Sequence, residues 1–250
     1  MSDSSLAVVV AAINEEEGIT PTILELKGVL NKPYLVVVDG KSSDHTLELA
    51  KDLGANVILQ RGKGKGNAIS EGLGCLNGDT SYVAFIDADY TYPAKYIKEM
   101  LIVLDLNPDV GMVLGDRFNR IYEHESDRNH FYIGNRILAF VQRVFNGIKL
   151  NDPYTGLRLI RFELLRDWKP RSSGFDIEAE INLHIEQMGS KIVEIPINYR
   201  KRLGKKKLAF RHGLKILRRI IIESLSSRHI SWFNKHIFSI NLTPSDFNQF

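Results

Sequence analysis

Tyr82-Val-Ala-Phe-Ile-Asp-Ala-Asp-Tyr90 decides the reading of this chain. Its first five residues are apolar or aromatic, as in a short strand buried on both faces. The apolar run stops on two carboxylates, Asp87 and Asp89, at positions i and i+2. Ionised groups at the end of a buried strand are costly unless something positive joins them. A hard divalent cation bridging diphosphate oxygens is the natural partner. The plain alternative is a solvated strand-to-helix turn.

Upstream, the same architecture repeats. Leu6–Ile13, Tyr34–Val38 and Ala55–Leu59 read as short Val- and Ile-rich strands, and Val110–Leu114 follows downstream. Helical stretches separate them at about Glu16–Leu30, Asp44–Leu53, Gly66–Leu76 and Ala94–Leu104, with Ser43 as a cap and Gly54 as a stop for the second. This alternation predicts an α/β fold, a mostly parallel sheet with helices on both faces. Asn14-Glu15-Glu16, Asp39-Gly40 and Asp87-Ala88-Asp89 then share the carboxyl edge of that sheet, where open α/β sheets bind ligands.

The second half is less regular. Asn119–His130 reads as a polar loop, Phe131–Phe145 as a helix and Asp152–Arg158 as a turn. Phe175–Met188 (helix) and Lys191–Ile197 (strand) complete the core. Beyond Lys205 a basic amphipathic helix and a short second helix are expected, and Asn241–Phe250 has no clear pattern. One catalytic domain over 1–207 and a helical extension over 208–250 follow.

Composition narrows the functional classes. There is one cysteine, Cys75, so neither a disulfide framework nor a cysteine-based zinc site is expected. No apolar run is long enough for a spanning helix, and the N-terminal stretch reads as a strand, not a signal peptide. The expected location is cytoplasmic. The net charge of +3 hides an asymmetry: ten of the 33 Lys and Arg residues fall within 200–219, where there is no Asp or Glu, leaving 23 basic against 30 acidic residues elsewhere. Local basicity of this kind points to a particular anionic surface or ligand and away from nucleic acid.

Other candidates follow from residue type. Asp39 suits a nucleobase or ribose, or simply caps its turn. Asn14 and Glu15 divide between capping a helix and reaching a nucleoside. Arg61-Gly62-Lys63-Gly64-Lys65-Gly66 can offer backbone N–H groups and ammoniums to phosphate, but lacks the spacing of a Walker A loop. Arg117, Arg128 and Arg136 are candidate phosphate forks or ordinary surface arginines. Tyr199–Leu208 can hold a diphosphate or face anionic lipid. Phe210, Leu214, Leu217, Ile221 and Leu225 make an apolar stripe flanked by Arg211, Lys215, Arg218 and Arg219, which suits a bilayer interface, the protein core or a partner subunit.

Taken in order, INEEEGI, VVVDGKSSDHT, RGKGKGNAI, FIDADYTYP, GDR, DPYTGLR, GFDIEAEI and VEIPINYRKRLGKKKL resemble family-2 glycosyltransferases of the GT-A fold. The resemblance is closest to dolichyl-phosphate mannose synthases and related polyprenyl-phosphate glycosyltransferases, and spans about residues 6–208. It implies inverting transfer of a hexose from a nucleotide sugar, GDP-mannose or UDP-glucose, to a polyprenyl (dolichyl) phosphate, with Mg²⁺ or Mn²⁺. A soluble phosphorylated acceptor or a non-catalytic binding subunit are the alternatives. Asp87, Asp89 and Arg202 would be catalytic. Ala11, Ile13, Asn14, Glu15, Asp39, Lys65, Asp87, Arg202 and Lys207 would bind the donor. Asp87 and Asp89 would ligate the metal, with Thr91 standing where the family's third ligand, a glutamine, is found. Arg117 and Arg128 would take the acceptor phosphate. Ala11 and Ile13 depart from a family proline and an aromatic or leucine. The implied setting is peripheral, on the cytoplasmic face of a membrane, through the C-terminal basic helix or an anchoring partner subunit.

Overall fold

A computed structural model describes residues 6–118, 129–205, 207 and 210–224. Seven strands form one sheet in the order β3-β2-β1-β4-β6-β5-β7: β1 Leu6–Ala12, β2 Tyr34–Asp39, β3 Asn56–Leu59, β4 Tyr82–Asp87, β5 Val110–Asp116, β6 Arg158–Arg161 and β7 Lys191–Pro196. All neighbours are parallel except β6, which runs antiparallel to both β4 and β5. The carboxyl ends of the other six strands and the start of β6 therefore meet at one edge.

Among the described residues seven α-helices surround it: α1 Glu16–Val29, α2 Thr46–Asp52, α3 Lys65–Leu73, α4 Lys95–Leu106, α5 Asn129–Asn146, α6 Ile177–Gln187 and α7 Phe210–Ser224. Side-chain alternation along the strands sorts the core into two layers. Leu6, Val8, Val10 and Ala12 of β1 pack with Ile19, Ile23 and Leu26 of α1 and Ile97, Met100 and Leu104 of α4. Val9 faces the other way, with Ala68 and Ile69 of α3 and Ile177, Ile181 and Ile185 of α6.

Two expectations need correction. The turn placed at Asp152–Arg158 runs directly into β6, which the sequence reading lacked altogether. Ser43 does not cap α2: its N–H, at 2.7 Å, and its hydroxyl both go to Asn14 Oδ1, while Asp44 Oδ1 takes the Thr46 N–H at 3.1 Å. Gly54 does end that segment, with φ +69°. Of the C-terminal apolar stripe, Leu214 and Ile221 are exposed. The face of α7 that docks carries Ile216 and Ile220, with Leu217 of that stripe beside them, packed with Leu138, Tyr154 and Ala179. Arg128, Leu225, the short second helix and residues 241–250 lie outside the described residues.

Candidate active site

The carboxyl edge of the sheet opens into a cavity of about 750 Å³. Asp87 closes β4, paired in register with Ala11 of β1. Its neighbour Ala88 is buried, and Tyr90 takes a left-handed φ of +64° that turns the chain. Residues 200–203 come alongside: Arg200 N–H donates to Thr91 O at 2.9 Å and Leu203 N–H to Asp89 O at 3.1 Å. This pairing sets Arg202 over Asp89 although 113 residues separate them.

The charges interlock. Lys65 Nζ lies 2.7 Å from Asp87 Oδ1 and 2.8 Å from Glu178 Oε1. Arg202 bridges Asp89 and Glu15. Lys207 Nζ sits 2.5 Å from Glu15 Oε1 and 2.8 Å from Asn14 O. Burial pushes Asp87 up, but the charges of Lys65, Arg117 and Arg202 outweigh it and hold the carboxyl below its usual range. Asp89 moves the other way: burial and then the charge of Asp87 raise it, despite Arg202 and Thr91. Burial also raises Glu15 against the pull of Lys207 and Arg202. Two buried atoms on this wall, Glu15 Oε2 and Arg202 Nε, have no hydrogen-bond partner among the described residues, an unusual state for polar groups.

Arg117, just past β5, is held on the opposite wall. Its Nε and Nη2 reach Asp152 Oδ2 and Oδ1 at 2.6 and 2.7 Å, a bidentate fork. The guanidinium lies 5.3 Å from the Tyr199 ring centroid and 5.5 Å from that of Phe118. Gly156, at the entry to β6, touches the floor, where a Cβ would fall 2.3 Å from Asp87 Oδ2.

Of the residues singled out in the sequence, Ala11, Ile13, Glu15, Lys65, Asp87, Asp89, Arg117, Arg202 and Lys207 line this one cavity. Asp39 and Asn14 do not line it: Asp39 is buried behind the wall and Asn14 is exposed beside it. Asp39 is 1% exposed, and Ser42 takes both of its oxygens, at 2.9 Å through N–H and 2.5 Å through the hydroxyl. Thr91 is fully buried and donates its hydroxyl to Asp89 Oδ1 at 2.6 Å, so here it orients that carboxylate. Three backbone N–H groups of the Arg61–Gly66 segment are engaged within the protein. Glu71 takes the N–H groups of Arg61 and Gly62, and Ser173 O takes those of Gly66 and Asn67. Sequence reasoning assigned no role to Glu178, Tyr92, Gly156 or Asp152. Their only signal was membership of GFDIEAEI, FIDADYTYP and DPYTGLR.

Asp87 and Asp89 suit a hard divalent cation, offering two carboxylates on the cavity floor. Among the described residues no cluster of three or more His, Cys, Asp or Glu side chains could hold a metal alone. Such a donor set fits an ion that completes its shell with diphosphate oxygens and water.

The fold has known counterparts. The glycosyl transferase family 2 model matches residues 7–168, and the chain belongs to that family: it is a glycosyltransferase. A dolichyl-phosphate hexose transferase of Haloferax volcanii is 34% identical over 227 residues, covering 89% of this chain and 95% of that protein. Glycosyltransferase AglJ of the same organism is 32% identical over 78% of this chain, which spans 63% of its length. Among solved structures, mannosyl-3-phosphoglycerate synthase from Rubrobacter xylanophilus superposes with a TM-score of 0.71 at 18% identity, over 98% of this chain and 80% of that one. Glucosyl-3-phosphoglycerate synthase from Mycobacterium tuberculosis, in complex with Mn²⁺, UDP-glucose and glycerol 3-phosphate, gives 0.65 at 23% identity, over 90% and 80%. These two share the fold.

Proposed function

We propose that this glycosyltransferase moves a hexose from a nucleoside-diphosphate sugar to a polyprenyl phosphate, with inversion at the anomeric carbon. One observation carries the phosphate acceptor. Among the described residues, the four carboxylates lining the cavity, Glu15, Asp87, Asp89 and Glu178, are already paired with Lys or Arg. None of these four stands free as a general base for a neutral alcohol, whereas a phosphate brings its own charge and needs no base. The polyprenyl part rests on the likeness to the Haloferax volcanii protein.

In this reading Arg202 and Lys207 take the donor diphosphate, and the unmet Arg202 Nε and Glu15 Oε2 are the polar atoms a donor would satisfy. Ala11 and Ile13 would border the nucleoside, with Asn14 and Asp39 fixing the two strand ends behind them. Asp87 and Asp89 would hold a divalent cation, which would supply positive charge to offset that of the leaving nucleoside diphosphate. Arg117 Nη1, the guanidinium nitrogen that Asp152 does not engage, would meet the acceptor phosphate, with Arg128 as its candidate companion. The acceptor oxygen then forms the new bond to the anomeric carbon as the bond to the diphosphate breaks, and the electron pair leaves with the nucleoside diphosphate. Lys65 keeps Asp87 ionised, and the chain's other contribution is to position two negative groups against each other.

No described helix is long and apolar enough to cross a membrane. A membrane-surface setting for the reaction is supported by exposed Leu214, Ile221 and Ile222 on α7 beside exposed Lys215 and Arg218, and by exposed Ile133 and Ile137 on neighbouring α5.

The test offers UDP-glucose and GDP-mannose, with Mg²⁺ or Mn²⁺, to farnesyl phosphate, farnesol and 3-phosphoglycerate in parallel. Transfer to farnesyl phosphate alone is expected. Transfer to farnesol, or only to 3-phosphoglycerate, would overturn the acceptor assignment.

A further inference from the structure

Arg117 is held by more acid than an ordinary ion pair requires. Asp152 is fully buried and meets it three times, through the backbone N–H at 3.1 Å and the two guanidinium nitrogens. Asp152 is itself held from behind by Glu194 of β7. The two Glu194 oxygens take adjacent backbone N–H groups, that of Asp152 at 2.7 Å and that of Asn151 at 2.8 Å. Asn151 Nδ2 reaches Asp116 Oδ2 at 3.3 Å, and Asp116 Oδ1 takes the Phe118 N–H at 2.7 Å. Asp152 thus touches the guanidinium directly, while Glu194 and Asp116 hold the segments that carry Asp152 and follow Arg117. Among the described residues Glu194 forms no ion pair, and burial pushes its carboxyl up to about 7 despite the two N–H donors.

As a purely structural device this arrangement is a poor one. A sheltered carboxylate supported only by N–H groups carries a desolvation cost that an apolar residue on β7 would avoid. It does fix the 151–152 peptide, and through it the direction of a long side chain that would otherwise sample many rotamers. The fixed guanidinium lines the cavity and is close enough to Asp87 for its charge to depress that carboxyl.

We infer that Asp152 and Glu194 are positioning residues for the acceptor phosphate, acting in series: Glu194 sets the 151–152 peptide, Asp152 orients Arg117, and Arg117 presents Nη1 to the incoming phosphate. The inference rests on the acceptor reading of Arg117 given above.

Calorimetric binding to the full chain tests it without turnover, using farnesyl phosphate as one probe and UDP with Mn²⁺ as the other. Arg117→Lys, which loses the fork, should weaken farnesyl phosphate binding by at least tenfold. Asp152→Asn and Glu194→Gln each remove one charge-assisted contact in the series and should weaken it by about tenfold. All three should leave the UDP–Mn²⁺ affinity within about twofold and keep a cooperative thermal transition. If Arg117→Lys binds farnesyl phosphate as the wild type does, the acceptor reading falls and takes the inference with it. If Arg117→Lys weakens binding while Asp152→Asn and Glu194→Gln do not, the acceptor reading stands and the series is wrong. Equal loss of both probes in folded Asp152→Asn would show general damage and also overturn it.

Discussion

Gly156→Ala asks whether the position of the Asp87 carboxylate matters to the chemistry. The added Cβ would lie 2.3 Å from Asp87 Oδ2, 2.8 Å from Cγ and 3.0 Å from Oδ1. Ordinary carbon–oxygen contacts begin near about 3.3 Å, so one side must yield by roughly 1 Å. Gly156 is tethered through its N–H to the Tyr92 hydroxyl at 2.8 Å, and Tyr92 is buried. The carboxylate is therefore the group that moves, and its 2.7 Å contact with Lys65 opens. A misplacement of about 1 Å at a reacting centre costs about a hundredfold in rate. Loss of one charge-assisted hydrogen bond costs about 1.5–3 kcal/mol of stability, well inside the roughly 5–15 kcal/mol of a folded domain. The assay is the initial rate of hexose transfer at saturating donor and acceptor, beside a thermal melt. Gly28→Ala in α1, whose Cβ would meet nothing within 4 Å, is the control and should turn over normally. Wild-type turnover within twofold in Gly156→Ala would refute the claim that this carboxylate is fixed where the chemistry needs it.

Two further outcomes follow from the same geometry. Arg202 neutralises Asp89 in the free protein, so Arg202→Gln should bind Mn²⁺ alone more tightly than the wild type and UDP less tightly, with Lys207→Gln leaving the affinity for Mn²⁺ alone nearly unchanged; equilibrium dialysis reads both. Glu186 of α6 has its carboxyl raised to about 7 by burial, and its buried Oε2 has no partner among the described residues. Between about pH 4.5 and pH 7 the folded state therefore keeps a proton that the unfolded state gives up, and stability falls as pH rises through that window. The nominal cost is about 3 kcal/mol, which solvent screening on the open side of the residue reduces to roughly 1 kcal/mol. Glu186→Gln should be about that much more stable than the wild type in urea at pH 8 and much closer to it at pH 5.

Strands β1, β2 and β4 were legible because Val- and Ile-rich runs ended abruptly on polar residues, and that same break displayed Glu15, Asp39, Asp87 and Asp89. β6 was not legible, since Arg-Leu-Ile-Arg offers two apolar residues between two charges. Its arginines serve the interior. Arg158 is 1% exposed and donates to the carbonyls of Thr155, at 2.7 Å, and Pro153, while Arg161 reaches the carbonyls of Val110 and Leu104. A charge satisfied by main-chain carbonyls looks, in sequence, like a surface charge. The pairing of Lys65 with Glu178 and of Arg202 with Asp89 was hidden for another reason: spacing along the chain says nothing about which cation crosses a cavity. Lys65, which the sequence offers to a phosphate, lines the cavity with its ammonium between Asp87 and Glu178. The contacts of Ser42 and Ser43 with Asn14 likewise join the ends of β1 and β2 across 28 and 29 residues of chain.

The central claim is that Asp87 and Asp89 hold a cation-bound donor diphosphate beside a pocket for a second phosphate. Transfer of labelled hexose to farnesyl phosphate by wild type and Asp89→Ala, each with Mg²⁺, Mn²⁺ or a chelator, tests it most directly. Transfer by the wild type that stops with chelator, and its loss in a folded Asp89→Ala, is the predicted result. Near-normal turnover of Asp89→Ala with added metal would contradict it.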